Sequence, residues 1–170
     1  MATTLSHSLR RRGAGATIEP MRTLDIDWAD LEIAFRDGGS ESFLDLTTGE
    51  VVTIVEGFDD ERDIRDRLAR SPQRFARIPP VDKAWSMARI AQFASKQRGS
   101  LRQQLEEAQD GVGALSRCTT VLRDDKAASS AWARFEQAAL LKHIEAFLAE
   151  HDVACREAAP HLELFENFSG

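Results

Sequence analysis

Three groups able to bind a metal fall close together near the C-terminus: His151, Cys155 and His161. A structural zinc site takes four Cys or His ligands, usually in tight pairs, and here the fourth ligand and the pairing are both missing. The reading is therefore no metal. Asp59, Asp60, Glu61 and Asp63 invite calcium, but the run lacks the central glycine and the closing bidentate acid of an EF-hand loop. An exposed carboxylate run also gives no reason for separated pKa values, which acid–base catalysis by a carboxyl pair requires. A capped, salt-bridged helix explains the same residues.

Gly111-Val112-Gly113 stands before a helical stretch, where glycines let backbone N–H groups approach an anion, and Arg117 could assist. The sixth position of a G-x-G-x-x-G is Ser116 and no strand precedes the glycines, so the dinucleotide context is missing. Loop glycines that let two helices meet explain the same residues. Arg98 and Arg102 lie one helical turn apart if a helix runs through Gly99, and with Gly111, Gly113 and Arg117 they are the candidate contacts for an anion or an acidic partner. No G-x-S-x-G, Walker lysine motif or H-E-x-x-H occurs. No catalytic residue is assigned and no cofactor is expected.

The net charge of −6 is unevenly spread. Residues 1–22 carry four basic and one acidic residue, and residues 23–66 three basic against fourteen acidic. Residues 67–126 reverse this with twelve basic against six acidic, and residues 127–170 carry three basic and seven acidic. Asp45, Glu50, Glu56, Asp59 and Asp60 are the candidate acidic face. The basic segment could present a positive face to nucleic acid through phosphate contacts, or simply neutralise the acidic one in the fold. It lacks the interleaved aromatics that stack single-stranded bases.

Stepping along the chain, Asp27 can cap a helix with Trp28, Leu31, Ala34 and Phe35 at core spacing. Ser42–Thr47 and Val51–Val55 flank Thr48-Gly49-Glu50 and read as a β-hairpin, Gly49 supplying the positive φ of a bulged loop. Leu44 and Leu46 share one face, as do Val52 and Ile54. Asp59–Arg70 reads as a solvated helix with Glu61–Arg65, Asp63–Arg67 and Asp66–Arg70 pairs. Arg74–Ile78 is a third strand, stopped by Pro79-Pro80. Beyond it the chain is helical: a segment capped by Asp82 with Met87, Ile90, Ala91 and Ala94 inward, then Ser100–Asp110, Ala114–Leu122, and Ser129–Glu150 capped by Ser129 or Ser130. In the last helix Trp132, Phe135, Ala139, Leu140, His143 and Phe147 share a face, with His143 as a core histidine. Trp28, Trp85 and Trp132 read as core. Leu162, Leu164, Phe165 and Phe168 could dock as an apolar hook.

The expected fold is α+β: a small antiparallel sheet, hairpin plus third strand, packed by about five helices, with a helical C-terminal half. Residues 23–153 form the single domain, 1–22 a disordered tail and 154–170 a C-terminal extension. The tail has no apolar h-region. It is Arg- and Ser-bearing like a transit peptide, and Met21, directly before the first structured segment, is an alternative start. No run of about 18 apolar residues exists to span a membrane. Cys118 and Cys155 lack motif spacing and read as reduced, buried thiols of a cytosolic protein.

The order of these pieces resembles the uncharacterised bacterial protein family numbered 0158 in the UPF series. The resembling segments are Asp27–Glu32, Phe43–Val52, Arg74–Asp82, Gly111–Leu115 and Trp132–Phe135. Together they span most of residues 23–152. The resemblance implies a small bacterial α+β protein without assigned activity, so it carries over no site residue. This chain departs from the family pattern at Val112 and Leu115, where that pattern has Arg and an aromatic.

With no catalytic signature and a divided charge, the expected function is a non-enzymatic cytosolic interaction or regulatory module that binds another protein. The alternatives are nucleic-acid association through residues 67–126 and, third, a small-molecule enzyme without a recognisable motif.

Overall fold

The computed structural model describes residues 21–160. The expectations placed on residues 1–20, on His161 and on the hook of Leu162, Leu164, Phe165 and Phe168 fall outside them. The described chain is α+β. Its elements are β1 (Arg22–Leu24), α1 (Trp28–Arg36), β2 (Glu41–Asp45), β3 (Val51–Ile54), α2 (Glu61–Arg70), β4 (Phe75–Ile78), α3 (Lys83–Lys96), α4 (Gly99–Ala108), α5 (Ala114–Asp124), α6 (Lys126–Glu150) and β5 (Val153–Cys155).

The hairpin β2–β3 and the third strand β4 form an antiparallel sheet in the order β3-β2-β4. In the hairpin turn, Gly49 N–H donates to Asp45 C=O at 2.8 Å while Asp45 N–H donates to Glu50 C=O at 2.9 Å. Two residues thus oppose one, the bulge in which the first position needs a left-handed residue, and Gly49 has φ +83°. The register pairs Leu44 with Val51 and Phe43 with Val52. Leu44 and Leu46 therefore lie on one face of the sheet, and Val52 and Ile54 on the other. Both pairs are buried, at 0% and 7% exposure for the leucines and 6% and 2% for the others, so both faces must be covered.

α1 and the C-terminal half of α6 cover the first face, forming a core with Leu31, Phe35, Leu44, Ile78, Leu140, Leu141 and Ile144. Asp27 caps α1, accepting from Ala29 N–H at 2.8 Å. The second face is crossed by α2, whose Arg65 and Arg67 reach Glu41 and Asp45 at 3.2 and 3.1 Å. α2 buries no residue fully; it is a solvated cover with Ile64 and Leu68 half-buried. Of its three expected ion pairs, Glu61–Arg65 forms at 2.9 Å, whereas Arg67 turns away from Asp63 to Asp45, a buried carboxylate on the sheet.

A second core joins α3, α4 and α5 to the N-terminal half of α6 through Ile90, Phe93, Leu105, Cys118 and Leu122. Phe93 holds the place expected of Ala91, which is exposed. The two cores meet along α6, a helix about 37 Å long at 1.5 Å per residue. Because its neighbours differ along its length, Leu140 and Leu141 are both fully buried although they point in different directions. α6 starts one turn before the expected Ser129 or Ser130 cap: Asp125 accepts from Ala128 N–H at 2.9 Å, and the added turn buries Ala128 in the second core.

The domain boundary expected at residue 153 falls inside β5. β5 pairs in parallel with β1, Thr23 opposite Ala154, and Ala159 is buried in the first core. Trp28 Nε1 donates to Glu157 C=O at 3.2 Å, which ties the segment after β5 to the start of α1.

Candidate functional site

The site is founded on the hairpin turn. Asp45 ends β2 with its side chain on the α2 face, where it is 0% exposed. Arg74 donates from Nε to Oδ1 at 2.9 Å and from Nη2 to Oδ2 at 2.6 Å. Arg67 Nη2 donates to Oδ2 at 3.1 Å and to Glu50 Oε2 at 3.2 Å. Thr47 N–H adds a bond at 2.9 Å. Both guanidinium groups also lie over the Phe75 ring, at 5.3 and 5.5 Å. Burial alone would push the Asp45 carboxyl up; the Arg74 hydrogen bonds, the Thr47 N–H and the Arg74 charge outweigh it and hold the carboxyl well below the usual carboxylate range. Asp45 is thus no part of an acidic face. It is an internal anchor, because a carboxylate is tolerated in the interior only when ion pairs and hydrogen bonds offset its desolvation, and Arg74, Arg67 and Thr47 N–H supply them.

What the anchor positions is the turn from β3 to α2. Phe58 N–H donates to Val55 C=O at 3.2 Å and Glu61 N–H to Phe58 C=O at 3.1 Å. Glu61 folds back to accept from Gly57 N–H at 2.9 Å through one oxygen and from Arg65 at 2.9 Å through the other, and Arg65 continues to Glu41. These bonds hold its carboxyl below the ordinary range, the Gly57 N–H first and Arg65 second. The turn is closed by hydrogen bonds at both ends, yet it presents Phe58 at 65% and Val55 at 40% exposure. Glu56, Asp59 and Asp60 stand exposed around them, and none belongs to an ion pair among the described residues. A shallow groove runs from Phe58 along Glu61, Arg62 and Arg65. Glu50 stays on the rim, paired to Arg67. Of the expected acidic face, Glu56, Asp59 and Asp60 stand on this one exposed turn; Phe58 among them carries no motif that singles it out in the sequence.

The anion candidates come apart. Arg117 Nη1 donates to Val112 C=O at 2.6 Å and Nη2 to Asp110 C=O, so the Gly111–Gly113 loop gathers carbonyl oxygens around a cation, the inverse of an anion cradle. Arg102 is paired with Glu106 at 2.7 Å. Arg98 lies in extended backbone between α3 and α4, so no continuous helix joins it to Arg102. Arg89 and Lys96 sit over the Trp85 and Phe135 rings. With Arg67 and Arg74 on Asp45, six of the twelve basic side chains of residues 67–126 are engaged inside the molecule.

His151 packs edge-on against the Phe147 ring at 4.7 Å, and His143 against Phe35 at 5.5 Å. Among the described residues no three His, Cys, Asp or Glu side chains gather as metal ligands. Burial raises the Cys118 thiol, and burial followed by the Glu145 charge pushes Cys155 up to about 11; both therefore stay protonated at neutral pH and are poor nucleophiles. Among the described residues no helix is long and apolar enough to cross a membrane. No family model, no curated protein and no solved structure matches the chain.

Proposed function

We propose that this chain is an interaction module that binds another protein through the Val55–Asp60 turn, acting in the cytosol and without catalysis of its own. The observation that carries this reading is Phe58, 65% exposed on a hydrogen-bonded turn. A turn whose backbone is already hydrogen-bonded adds little loop-ordering cost when a partner covers its aromatic ring, and Phe is among the residues enriched at interfaces. Glu56, Asp59 and Asp60, which form no ion pair among the described residues, select a basic partner and speed its approach. The cytosolic part rests on two free cysteines, one buried and one half-buried. The resemblance of residues 27–135 to family 0158 of the UPF series belongs to the same proposal and adds no activity to it.

Affinity capture from native lysate tests the reading. The wild-type chain should retain a stoichiometric partner that is released by salt, and Phe58→Ala should lose it without change in thermal unfolding. Equal capture by Phe58→Ala would place the contact elsewhere, and empty capture at low salt would count against an interaction module altogether.

A further inference from the structure

The proposed contact turn continues a strand whose outer edge is open. Because Asp45 bonds to Glu50, the register makes Phe43–Val52 and Glu41–Ile54 the hydrogen-bonded pairs and leaves Leu44–Val51 and Ser42–Thr53 non-bonded. The other strand agrees: Leu46 N–H donates to Arg74 C=O at 2.8 Å, so the even positions of β2 face β4. Val51 and Thr53 therefore aim their N–H and C=O groups away from the sheet. Among the described residues no strand pairs with that edge, and no turn or side-chain hydrogen bond takes up those groups.

The two edges of the sheet differ in composition. β4 has Pro72 before it, Pro79-Pro80 after it and an exposed Arg77 within it, the devices that discourage strand addition. β3 has none of these. Val51-Val52-Thr53-Ile54-Val55 is an unbroken β-branched run without Pro, Lys or Arg, and a bare edge of that kind is a template for pairing. A second copy fits badly: antiparallel pairing centred on Thr53 brings the Glu50 end of each strand towards the turn of the other that carries Glu56, Asp59 and Asp60, and like charges brought together are destabilising. A strand with cations at its ends meets the acids flanking the edge favourably: Glu50, which shares Arg67 with Asp45, and Glu56 in the turn, which has no ion pair among the described residues.

We infer that β3 accepts an added strand from a partner protein: an extended segment, apolar at its centre and carrying Lys or Arg at its ends. Main-chain hydrogen bonds to Val51 and Thr53 supply affinity, Glu50 and Glu56 select the basic ends, and Phe58 closes over the segment as it leaves the edge. This rests on the interaction-module reading and adds to it the mode of binding and the chemistry of the partner.

The test is residue-resolved amide exchange on the full chain with the synthetic peptide Lys-Val-Thr-Val-Thr-Val-Lys and a control with Asp at both ends. The Lys-ended peptide at about 1 mM should slow exchange at Val51 and Thr53 about tenfold or more, and the Asp-ended peptide should not. No slowing overturns the inference. Peptide binding that perturbs Phe58 but leaves Val51 and Thr53 unprotected also overturns it, while leaving the interaction module standing. Protection already present without peptide overturns the partner strand in favour of a second copy if it grows with protein concentration, or of a segment of this same chain if it does not. Thr53→Pro removes an outward N–H and no bond to β2, so it should abolish peptide binding; should that variant not fold, the wild-type exchange pattern decides alone.

Discussion

Arg67 of α2 and Asp45 of the hairpin turn meet at 3.1 Å, with the carboxylate fully buried and the arginine side chain 42% exposed. This contact fastens α2, which buries no residue fully, across the outer face of the sheet. By holding α2 it also bears on the end of the turn that carries Phe58, which runs directly into that helix. The stability of the anchor and the geometry of the candidate site are thus one problem.

Asp45→Ala should cost about 3 kcal/mol of folding stability, since it leaves Arg74 without its carboxylate partner beside the sheet and Arg67 with Glu50 alone. Their partial exposure keeps the loss below that of a fully buried pair. Arg67→Ala should cost less, because Arg74 still satisfies Asp45. Denaturant midpoints for the two variants check the order.

The anchor predicts a pH dependence. Asp45 has a folded-state pKa held below its unfolded value. Its contribution is complete above the ordinary carboxylate range, near pH 4, and declines as pH falls from there through the depressed folded value. Denaturant midpoints should therefore fall between about pH 5 and pH 2, and Asp45→Asn should flatten that slope while lowering the midpoint at pH 7. An unchanged slope in Asp45→Asn would show that the titration belongs to other carboxyls.

Gly49→Ala and Gly57→Ala form a matched pair. Both glycines have φ +83°, but a Cβ at Gly49 would stand 2.5 Å from the Asp25 carbonyl oxygen while one at Gly57 meets nothing within 4 Å. Gly57→Ala should cost about 1 kcal/mol, the left-handed penalty alone. Gly49→Ala should cost well beyond that, about 3 kcal/mol, because backbone must shift. Thermal unfolding of both variants reads the difference.

Asp125→Ala should cost about 1 kcal/mol as the loss of the α6 cap. Ser129→Ala should be nearly neutral, since Ser129 lies inside the helix. A larger effect at Ser129 would move the helix start to the later position.

Local chemistry already wrote much of this molecule. Asp27 and Asp82 cap the helices they precede, Gly49 takes the left-handed turn, and the alternation of residues 42–55 and 74–78 made a three-strand sheet readable. Such features depend on neighbours within a few residues, which is why the residues alone determine them. The 3-residue strands β1 and β5 escaped because so short a run carries no usable period, and their pairing joins residues far apart in sequence. The fate of charge escaped for a related reason. Asp45 and Glu56 look alike in a chain, and only the crossing of α2 over the sheet decides that one is desolvated between two arginines while the other faces water. Likewise Arg117 looked free to hold an anion until the fold turned two carbonyls of its own loop toward it. Sequence by itself determined the helices, the three-strand sheet with its hairpin, and the caps of α1 and α3; tertiary packing decided which charges are spent within the molecule and which, with Phe58 and the edge of β3 that no described strand pairs, are left facing outward, because desolvation is a property of the whole fold.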